Sequence, residues 1–131
     1  MIPIEFRLWD YNKNRMKYLK NAQIEFDDNG KPYHISFDGG YGYWVGGYEG
    51  ELGRNKCELM QFIGCLDKSG KKIFENDILE YSDKSEYGVV KFGDGEFYLE
   101  TELKNWRSDI YGTELVIGNI YENEDLVRRQ P

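Results

Sequence analysis

The chain has 131 residues, a formal net charge of −7 and a hydrophobic content of 40%. This length fits one compact domain or two small lobes, and the apolar content excludes a disordered chain. The negative charge opposes non-specific attraction to phosphate backbones, which argues against a general nucleic-acid coat.

The targeting and cysteine patterns of the chain are those of a cytoplasmic protein. Residues 1–7 lack the basic start and apolar run of a signal peptide, and no later stretch approaches the roughly 18 apolar residues of a membrane span. The two cysteines, Cys57 and Cys65, match neither a zinc-ligand pair nor a disulfide framework. The sequence therefore predicts a cytoplasmic protein with reduced, structural thiols and no membrane association.

Alternating apolar and polar residues predict antiparallel strands in the first part of the chain. Residues 4–8 predict a first strand. Residues 24–26 and 33–37 flank a short polar segment whose Asn29-Gly30 pair supplies the positive φ angles of a tight turn. This stretch is therefore predicted to be a hairpin.

The segment from Gly39 to Gly50 combines six glycines with large aromatic residues, which are Tyr41, Tyr43, Trp44 and Tyr48. It does not match a phosphate-binding loop, because the Gly-Lys-Ser/Thr ending is missing and no Lys or Arg occurs between Lys31 and Arg54. Glycines let backbones approach closely and the rings supply contact area, so the four aromatic residues are predicted to form a protein interface. The segment is interpreted as a loop between two lobes.

The two predicted lobes are residues 1–58 and residues 59–131, and the second carries most of the negative charge. In the second lobe, strands are predicted at 59–66, 72–74, 88–92, 96–100 and 115–117, followed by a short helix capped by Asn123. Asn76 tolerates a left-handed backbone and Asp77 can bond nearby N–H groups, so both are predicted to fix a turn. Asp94 and Gly95 are predicted to form a tight hairpin turn. The fold class is therefore mainly β, built from small antiparallel lobes.

The residues of the common catalytic sets are missing from the sequence. His34 is the only histidine, which leaves no second imidazole for a typical zinc site, and no Gly-x-Ser-x-Gly motif provides a serine for it to activate. Glu75 and Asp77 could act as paired carboxylates on a glycoside, but 24 acidic residues make such pairs common by chance. The sequence predicts no enzymatic activity, no metal and no cofactor, with a carboxylate-dependent hydrolase as a distant alternative.

Four blocks of the sequence form a wider pattern. They are Ile4-x-Phe6-Arg7-x-Trp9-Asp10 with Met16, Leu59-Met60-Gln61-Phe62-Ile63-Gly64-x-x-Asp67-Lys68-x-Gly70-Lys71-x-Ile73-Phe74-Glu75-Asn76-Asp77-Ile78, Gly88-Val89-Val90-Lys91-Phe92, and Val116-Ile117-Gly118-Asn119-Ile120-Tyr121-Glu122-Asn123. In this order, the blocks resemble the YopX-like proteins of bacteriophages and prophages. The resemblance implies a C-terminal part similar to a small SH3-type β barrel, a phage or prophage origin, and a family whose biochemical role is not established. Asn76 departs from the glycine that is usual there.

These observations favour a non-enzymatic accessory protein that acts through protein–protein contacts with copies of itself or with a host or phage protein. The expected homo-oligomer follows from exposed strand edges and from 11 Tyr, 7 Phe and 3 Trp, more rings than a core of this size hides. The alternative is a nucleic-acid-binding protein, because small barrels often bind oligonucleotides. The charge disfavours that alternative.

Overall fold

The computed structural model describes residues 3–37, 42–46, 55–81, 86–101 and 106–128. In chain order, the elements are β1 (Phe6–Asp10), β2 (Arg15–Tyr18), β3 (Ala22–Phe26), β4 (Pro32–Phe37), β5 (Gly42–Val45), β6 (Lys56–Leu66), β7 (Lys72–Phe74), β8 (Asp77–Tyr81), β9 (Glu86–Gly93), β10 (Glu96–Thr101), β11 (Trp106–Ser108), β12 (Leu115–Asn119) and α1 (Glu124–Arg128). The predicted mainly β fold class is confirmed. Within the described ranges, no helix is long and apolar enough to cross a membrane.

The chain divides into two compact units, which we describe separately. One unit is Glu5–Met60, and the other is Gln61–Pro131 together with Met1–Ile4. The division falls within β6, whose first part belongs to the N-terminal unit and whose second part belongs to the C-terminal unit.

The N-terminal unit is built on a strongly curled sheet with the strand order β2-β1-β6-β5-β4-β3. Its end strands β2 and β3 are separated in the chain by residues 19–21 alone. In a flat sheet, the five inter-strand spacings of about 4.8 Å each would place β2 and β3 about 24 Å apart. The four Cα–Cα steps from Tyr18 to Ala22 reach at most about 14 Å. The sheet therefore bends until its edges approach, and Lys17 Nζ on β2 lies 5.0 Å from the ring centroid of Phe37 on β4.

The core of the N-terminal unit lies on the concave face of this curl. Its buried members come from β1, β4, β5 and β6, and they are Leu8, Ile35, Tyr43, Val45 and Cys57. Successive side chains of a strand point to opposite faces. The sequence neighbours of these core residues therefore lie on the outer face of the sheet.

The C-terminal unit begins with the second part of β6, which pairs antiparallel with β7. Five further strands form an antiparallel sheet in the order β11-β10-β9-β8-β12. Its buried core consists of Ile73, Leu79, Val90 and Leu99.

The hairpins that local turn residues predict are present. The β3–β4 turn holds Gly30 at a φ of 78°, and the β6–β7 turn holds Gly70 at 91°. In the β9–β10 turn, Asp94 has a φ of 53° and Gly95 a φ of 83°. Two consecutive positive φ angles are what a type I′ turn requires, so local chemistry accounts for this hairpin.

The prediction of a loop across the Gly39–Gly50 segment is wrong at its centre, where residues 42–45 form β5. This strand pairs antiparallel with β4 and parallel with β6. A glycine-rich strand held by two neighbours has no local signature, because its pairing rather than its composition defines it. The sequence pattern likewise gives no sign of β2 or β11. Tyr41 and Tyr48 lie outside the described residues.

Candidate functional site

A row of four side chains crosses the outer face of the N-terminal sheet. Cross-strand pairing places Glu25 on β3 beside His34 on β4, and His34 beside Trp44 on β5. Trp44 in turn lies beside Lys56 on β6. Ile35, which follows His34, belongs to the core, so alternation places the row on the opposite face. We name these four residues the His34 row.

His34 is held from two sides within this row. Its Nδ1 lies 2.9 Å from Glu25 Oε1, a distance at which Nδ1–H donates to the carboxylate. Its ring packs against Trp44, with centroids 4.6 Å apart and planes inclined by 52°. The side chain of His34 is 21% exposed and that of Glu25 is 43% exposed. The row therefore presents an oriented imidazole and indole that solvent can reach.

Gly42 leaves the space that the imidazole of His34 occupies. A Cβ atom at this position would lie 2.5 Å from His34 Nε2 and 3.0 Å from His34 Cε1. Real Cβ contacts are not this short, so any other residue would displace the ring. The glycine at position 42 thus serves the geometry of the row.

Charged groups of both signs border the row. Burial raises the pKa of Glu58 on β6, while the positive charges of Lys56 and Lys31 oppose that rise. Lys56 Nζ also lies 5.9 Å from the ring centroid of Tyr11. The site therefore combines aromatic surface with charges that can orient a partner.

The structure separates two of the predicted interface residues. Trp44 lies in the row, whereas Tyr43 is 8% exposed and belongs to the core. The Tyr43 hydroxyl donates to Asp10 Oδ2 over 3.0 Å, and burial followed by this carboxylate raises the pKa of Tyr43. Because residues 42–45 form a strand, adjacent rings point to opposite faces. Tyr43 therefore supports the sheet from inside instead of offering contact surface.

The predicted turn at residues 76 and 77 has the expected geometry. Asn76 has a φ of 68°, and Asp77 Oδ2 accepts the N–H of Phe74 over 2.8 Å. The side-chain amide of Asn76 also donates to the hydroxyl of Tyr121 over 3.0 Å. These contacts are those of a structural turn.

Known proteins are similar to this chain in sequence and in fold. A family model described as YopX protein matches residues 5–128. The chain belongs to the YopX family. Its structure is similar to the crystal structure of protein EF1440 from Enterococcus faecalis, with a TM-score of 0.66, 28% sequence identity and coverage of 97% of this chain and 99% of that chain.

A second solved structure shares the fold. The X-ray crystal structure of protein yopX from Bacillus subtilis is similar with a TM-score of 0.55 and 22% identity, over 96% of this chain and 98% of that chain. No curated protein matches.

The YopX-family block around Asp67 anchors the C-terminal unit. Oδ1 of Asp67 accepts the N–H groups of Ser69 and Lys71, and Oδ2 accepts the N–H of Val116 on β12. Burial by itself would raise the pKa of Asp67, but these hydrogen bonds and the Ser69 hydroxyl lower it to about 2. A carboxylate engaged in this way ties the β6–β7 turn to a distant strand.

The asparagine side chains of the last family block also form hydrogen bonds within the fold. Asn119 Oδ1 accepts the N–H groups of Tyr121 and Glu122 at 3.0 and 2.9 Å. Asn123 precedes α1 as predicted, but its Oδ1 accepts the N–H of Asn119 at 3.1 Å. A Cβ at Gly118 would lie 2.9 Å from that of Asn123, so only glycine fits. The block therefore shapes a turn.

Neither cysteine has the environment of a nucleophile. Burial, with the nearby charges of Glu58 and Asp10, raises the pKa of Cys57 to about 12. Burial and the charge of Glu114 raise the pKa of Cys65. Because the thiolate is the reactive form, both shifts suppress reactivity. Within the described part of the chain, no group of three or more His, Cys, Asp or Glu side chains could hold a metal ion.

Sequence reasoning identified Trp44 but missed its association with His34, Glu25 and Lys56. Part of the row could have been found, because the predicted hairpin already places Glu25 opposite His34. The rest depends on β5, whose position between β4 and β6 the sequence does not reveal.

Proposed function

We propose that this YopX-family chain is a non-enzymatic accessory protein of a phage or prophage that acts in the cytoplasm through protein–protein contacts. Its partners are copies of itself or a host or phage protein. The observation that carries the proposal is the His34 row, which combines a partly exposed indole with a fixed imidazole.

The His34 row has the physical properties of an interaction hot spot. Trp is enriched among the residues that dominate binding energy, especially where neighbouring groups orient it. Trp44 is packed on His34, and His34 is bonded to Glu25. Side chains that are ordered before binding lose little rotamer entropy when a partner arrives. The row therefore suits a protein contact better than a scattered set of exposed rings does.

The contacts of the acidic residues support a non-enzymatic role. Glu75 Oε1 accepts the N–H of Gln61 over 2.8 Å, and Asp77 Oδ2 accepts the N–H of Phe74. Carboxylates that hold backbone groups in place are poorly suited to shuttle protons between a substrate and solvent. The raised pKa values of the Cys57 and Cys65 thiols also support a non-enzymatic role, because they reduce the fraction of the reactive thiolate.

The strand order supports an SH3-type lobe in the C-terminal unit, which we include in the proposal. Strands β8 to β11 follow one another across the sheet, and β12 returns beside β8. Small SH3-type folds have this order, in which four successive strands are neighbours and the fifth strand pairs with the first. Such a lobe hosts many unrelated functions, so the His34 row and not the fold of this lobe supports the proposed function.

Light scattering of the purified protein at micromolar concentrations tests the proposal. We expect a mass above the 15.5 kDa of one chain, falling to 15.5 kDa in Trp44→Ser. Tyr43→Phe is the matched control, because it removes a buried hydroxyl and leaves the outer face intact. Its mass should equal that of the unmodified protein. A mass of 15.5 kDa for the unmodified protein at every concentration contradicts self-assembly.

Oligonucleotide binding separates this proposal from its alternative. We expect no retarded single- or double-stranded oligonucleotide at ~150 mM salt, where non-specific contacts are weak. Binding that weakens steeply as salt rises would favour the nucleic-acid alternative instead.

A further inference from the structure

The β3–β4 turn contains an asparagine that is followed by glycine and whose side chain is open to solvent. Asn29 precedes Gly30, and no other asparagine of the sequence precedes a glycine. Both residues are exposed, and within the described ranges nothing is hydrogen-bonded to the side-chain amide of Asn29. A Cβ at Gly30 would contact nothing within 4 Å. Solvent can therefore reach the amide of Asn29 and the peptide bond that follows it.

The other described asparagine residues lack the following glycine, and several also lack an open amide. Asn119 accepts backbone N–H groups and donates to Glu122 Oε1 over 2.8 Å. Asn12 Oδ1 accepts the N–H of Lys56 over 3.0 Å. A side chain on the next residue crowds the backbone nitrogen that follows an asparagine, whereas glycine has no side chain. The combination of an open amide and a following glycine distinguishes Asn29.

We propose that Asn29 is a modification site at which the folded protein deamidates without an enzyme. Hydroxide removes the proton of the Gly30 N–H, and the nitrogen then attacks Cγ of Asn29. The new bond between this nitrogen and Cγ closes a succinimide ring as the bond from Cγ to Nδ2 breaks. Nδ2 takes up a proton from water and leaves as ammonia, which restores the hydroxide. The nucleophile and the amide belong to adjacent residues, so the chain itself holds them together.

Water then opens the ring in one of two ways. Addition of water at Cγ gives aspartate. Addition at the main-chain carbonyl carbon gives isoaspartate, whose main chain passes through Cβ and Cγ. In either case, one water is consumed and one ammonia is released. This inference goes beyond the proposed function and does not depend on it, because no protein partner takes part.

One hydrogen bond of the turn opposes the attack. The N–H of Gly30 donates to the carbonyl of Asp27 over 2.9 Å, and this bond must open before the nitrogen can react. A single hydrogen bond contributes little net free energy at an exposed turn, because water replaces the lost partner. We therefore expect Asn29 to react only about fivefold more slowly in the folded protein than in the protein unfolded by urea.

The isoaspartate product should loosen the turn, because it lengthens the main chain by one atom after residue 29. Three hydrogen bonds of 2.9 Å cross this link. They join the N–H of Asp27 to the carbonyl of Lys31, the N–H of Gly30 to the carbonyl of Asp27, and the N–H of Lys31 to Asp27 Oδ1. The aspartate product keeps the original main chain. The turn joins β3 to β4, and both strands carry residues of the His34 row.

Incubation of the purified full-length protein in mildly alkaline ¹⁸O-labelled water tests the proposal. Cleavage after glutamate in ordinary water then gives the peptide 26–49, which contains Asn29 as its only asparagine. We expect mass spectrometry to show that its amide is replaced by a carboxyl group with ¹⁸O, in two chromatographic forms of equal mass. The peptides 6–25 and 115–122, which contain other asparagine residues, should keep their amides. An unchanged Asn29 in the folded protein, with reaction in urea, overturns the proposal.

Asn29→Ser is the matched variant, because serine has the same place in the β6–β7 turn at residues 67–71. In that turn, the N–H of Asp67 donates to the carbonyl of Lys71 over 2.7 Å, and the N–H of Gly70 donates to the carbonyl of Asp67 over 3.0 Å. We expect the variant to keep the melting temperature of the unmodified protein and to take up no label in the 26–49 peptide. An equal gain of label would assign the reaction to the Asp-Gly pair of this peptide and overturn the proposal.

A comparison of the two products tests the effect on the turn. The isoaspartate and aspartate forms of the full-length protein have the same mass and differ only in the path of the main chain, and chromatography separates them. We expect the isoaspartate form to melt at a lower temperature than the aspartate form, which should match Asn29→Asp. Equal melting of the two forms would overturn the inference that isoaspartate loosens the turn.

Discussion

At the scale of single residues, buried carboxylates, which are a residue type common in catalysis, hold the fold together. Asp67 receives N–H groups from its own turn and from β12, and Glu114 receives those of Tyr111 and Gly112 over 2.9 Å each. The oxygens of both carboxylates accept hydrogen bonds from backbone N–H groups. His34 differs from these carboxylates, because its contacts leave part of the side chain open to solvent.

Asp67 should make the stability of the protein sensitive to acid. Its folded-state pKa of about 2 lies below the ordinary value, so its contribution is complete above about pH 4 and is lost as pH falls toward 2. Asp67→Asn should lower the free energy of unfolding at neutral pH by about 1 to 2 kcal/mol. Urea unfolding at pH 7 and pH 3 measures this, and the loss between the two values should be smaller in the variant. An equal loss would contradict the assignment.

Gly118 should be intolerant of any side chain because Asn123 occupies the adjacent space. We expect Gly118→Ala to lower the free energy of unfolding by about 1 to 3 kcal/mol, as for an overpacked site. A double-mutant cycle with Asn123→Gly, which also removes the Cβ of residue 123, identifies the cause: the alanine at 118 should be far less damaging once the Asn123 side chain is gone. Additive effects in thermal unfolding would show that the contact is unimportant.

Gly42→Ala should displace the imidazole of His34 without altering the residues of the row. The new Cβ would overlap His34 Nε2, so the ring must leave its bond with Glu25 and its contact with Trp44. We expect a changed ¹⁵N shift at His34 Nδ1 and weaker assembly, with little change in melting temperature. An unchanged Nδ1 shift would mean that the strands separate to accept the methyl group.

At the scale of elements, turns with a local chemical cause were predictable and strands defined by distant partners were not. The Asn29-Gly30 and Asp94-Gly95 pairs specify their hairpins because these residue types tolerate positive φ. β5 is a strand because β4 and β6 pair with it. The six glycines of residues 39–50 disrupt the alternating pattern by which a strand is recognised in a sequence. The same limit applies to the site, since Trp44 was visible in the sequence but its position beside His34 was not.

The β9–β10 turn provides a direct test of the local explanation. A Cβ at Gly95 would contact nothing within 4 Å, so only its φ of 83° opposes a larger residue. Gly95→Val should lower the free energy of unfolding by about 1 to 3 kcal/mol through backbone strain. Glu96→Val is the control, because it adds the same side chain at an exposed strand position. Equal melting of Gly95→Val and the unmodified protein would refute the strain argument.

At the scale of the whole molecule, different sets of residues have different tasks. The family blocks of the C-terminal unit supply turns and anchors, and we propose that the outer face of the N-terminal sheet supplies the contact surface. Other large apolar side chains are also exposed, including Phe92 at 54% and Tyr111 at 74%. Scattered exposed rings are ordinary in soluble proteins, so exposure by itself does not identify the interface.

Hydroxyl-radical footprinting at low and high protein concentration compares these surfaces most directly, because it reports the solvent access of individual side chains. We predict that oxidation of Trp44 falls as the protein assembles, while oxidation of Phe92 and Tyr111 stays constant and serves as an internal reference. Protection of Phe92 or Tyr111 with no change at Trp44 would contradict the central claim that the His34 row is the contact surface.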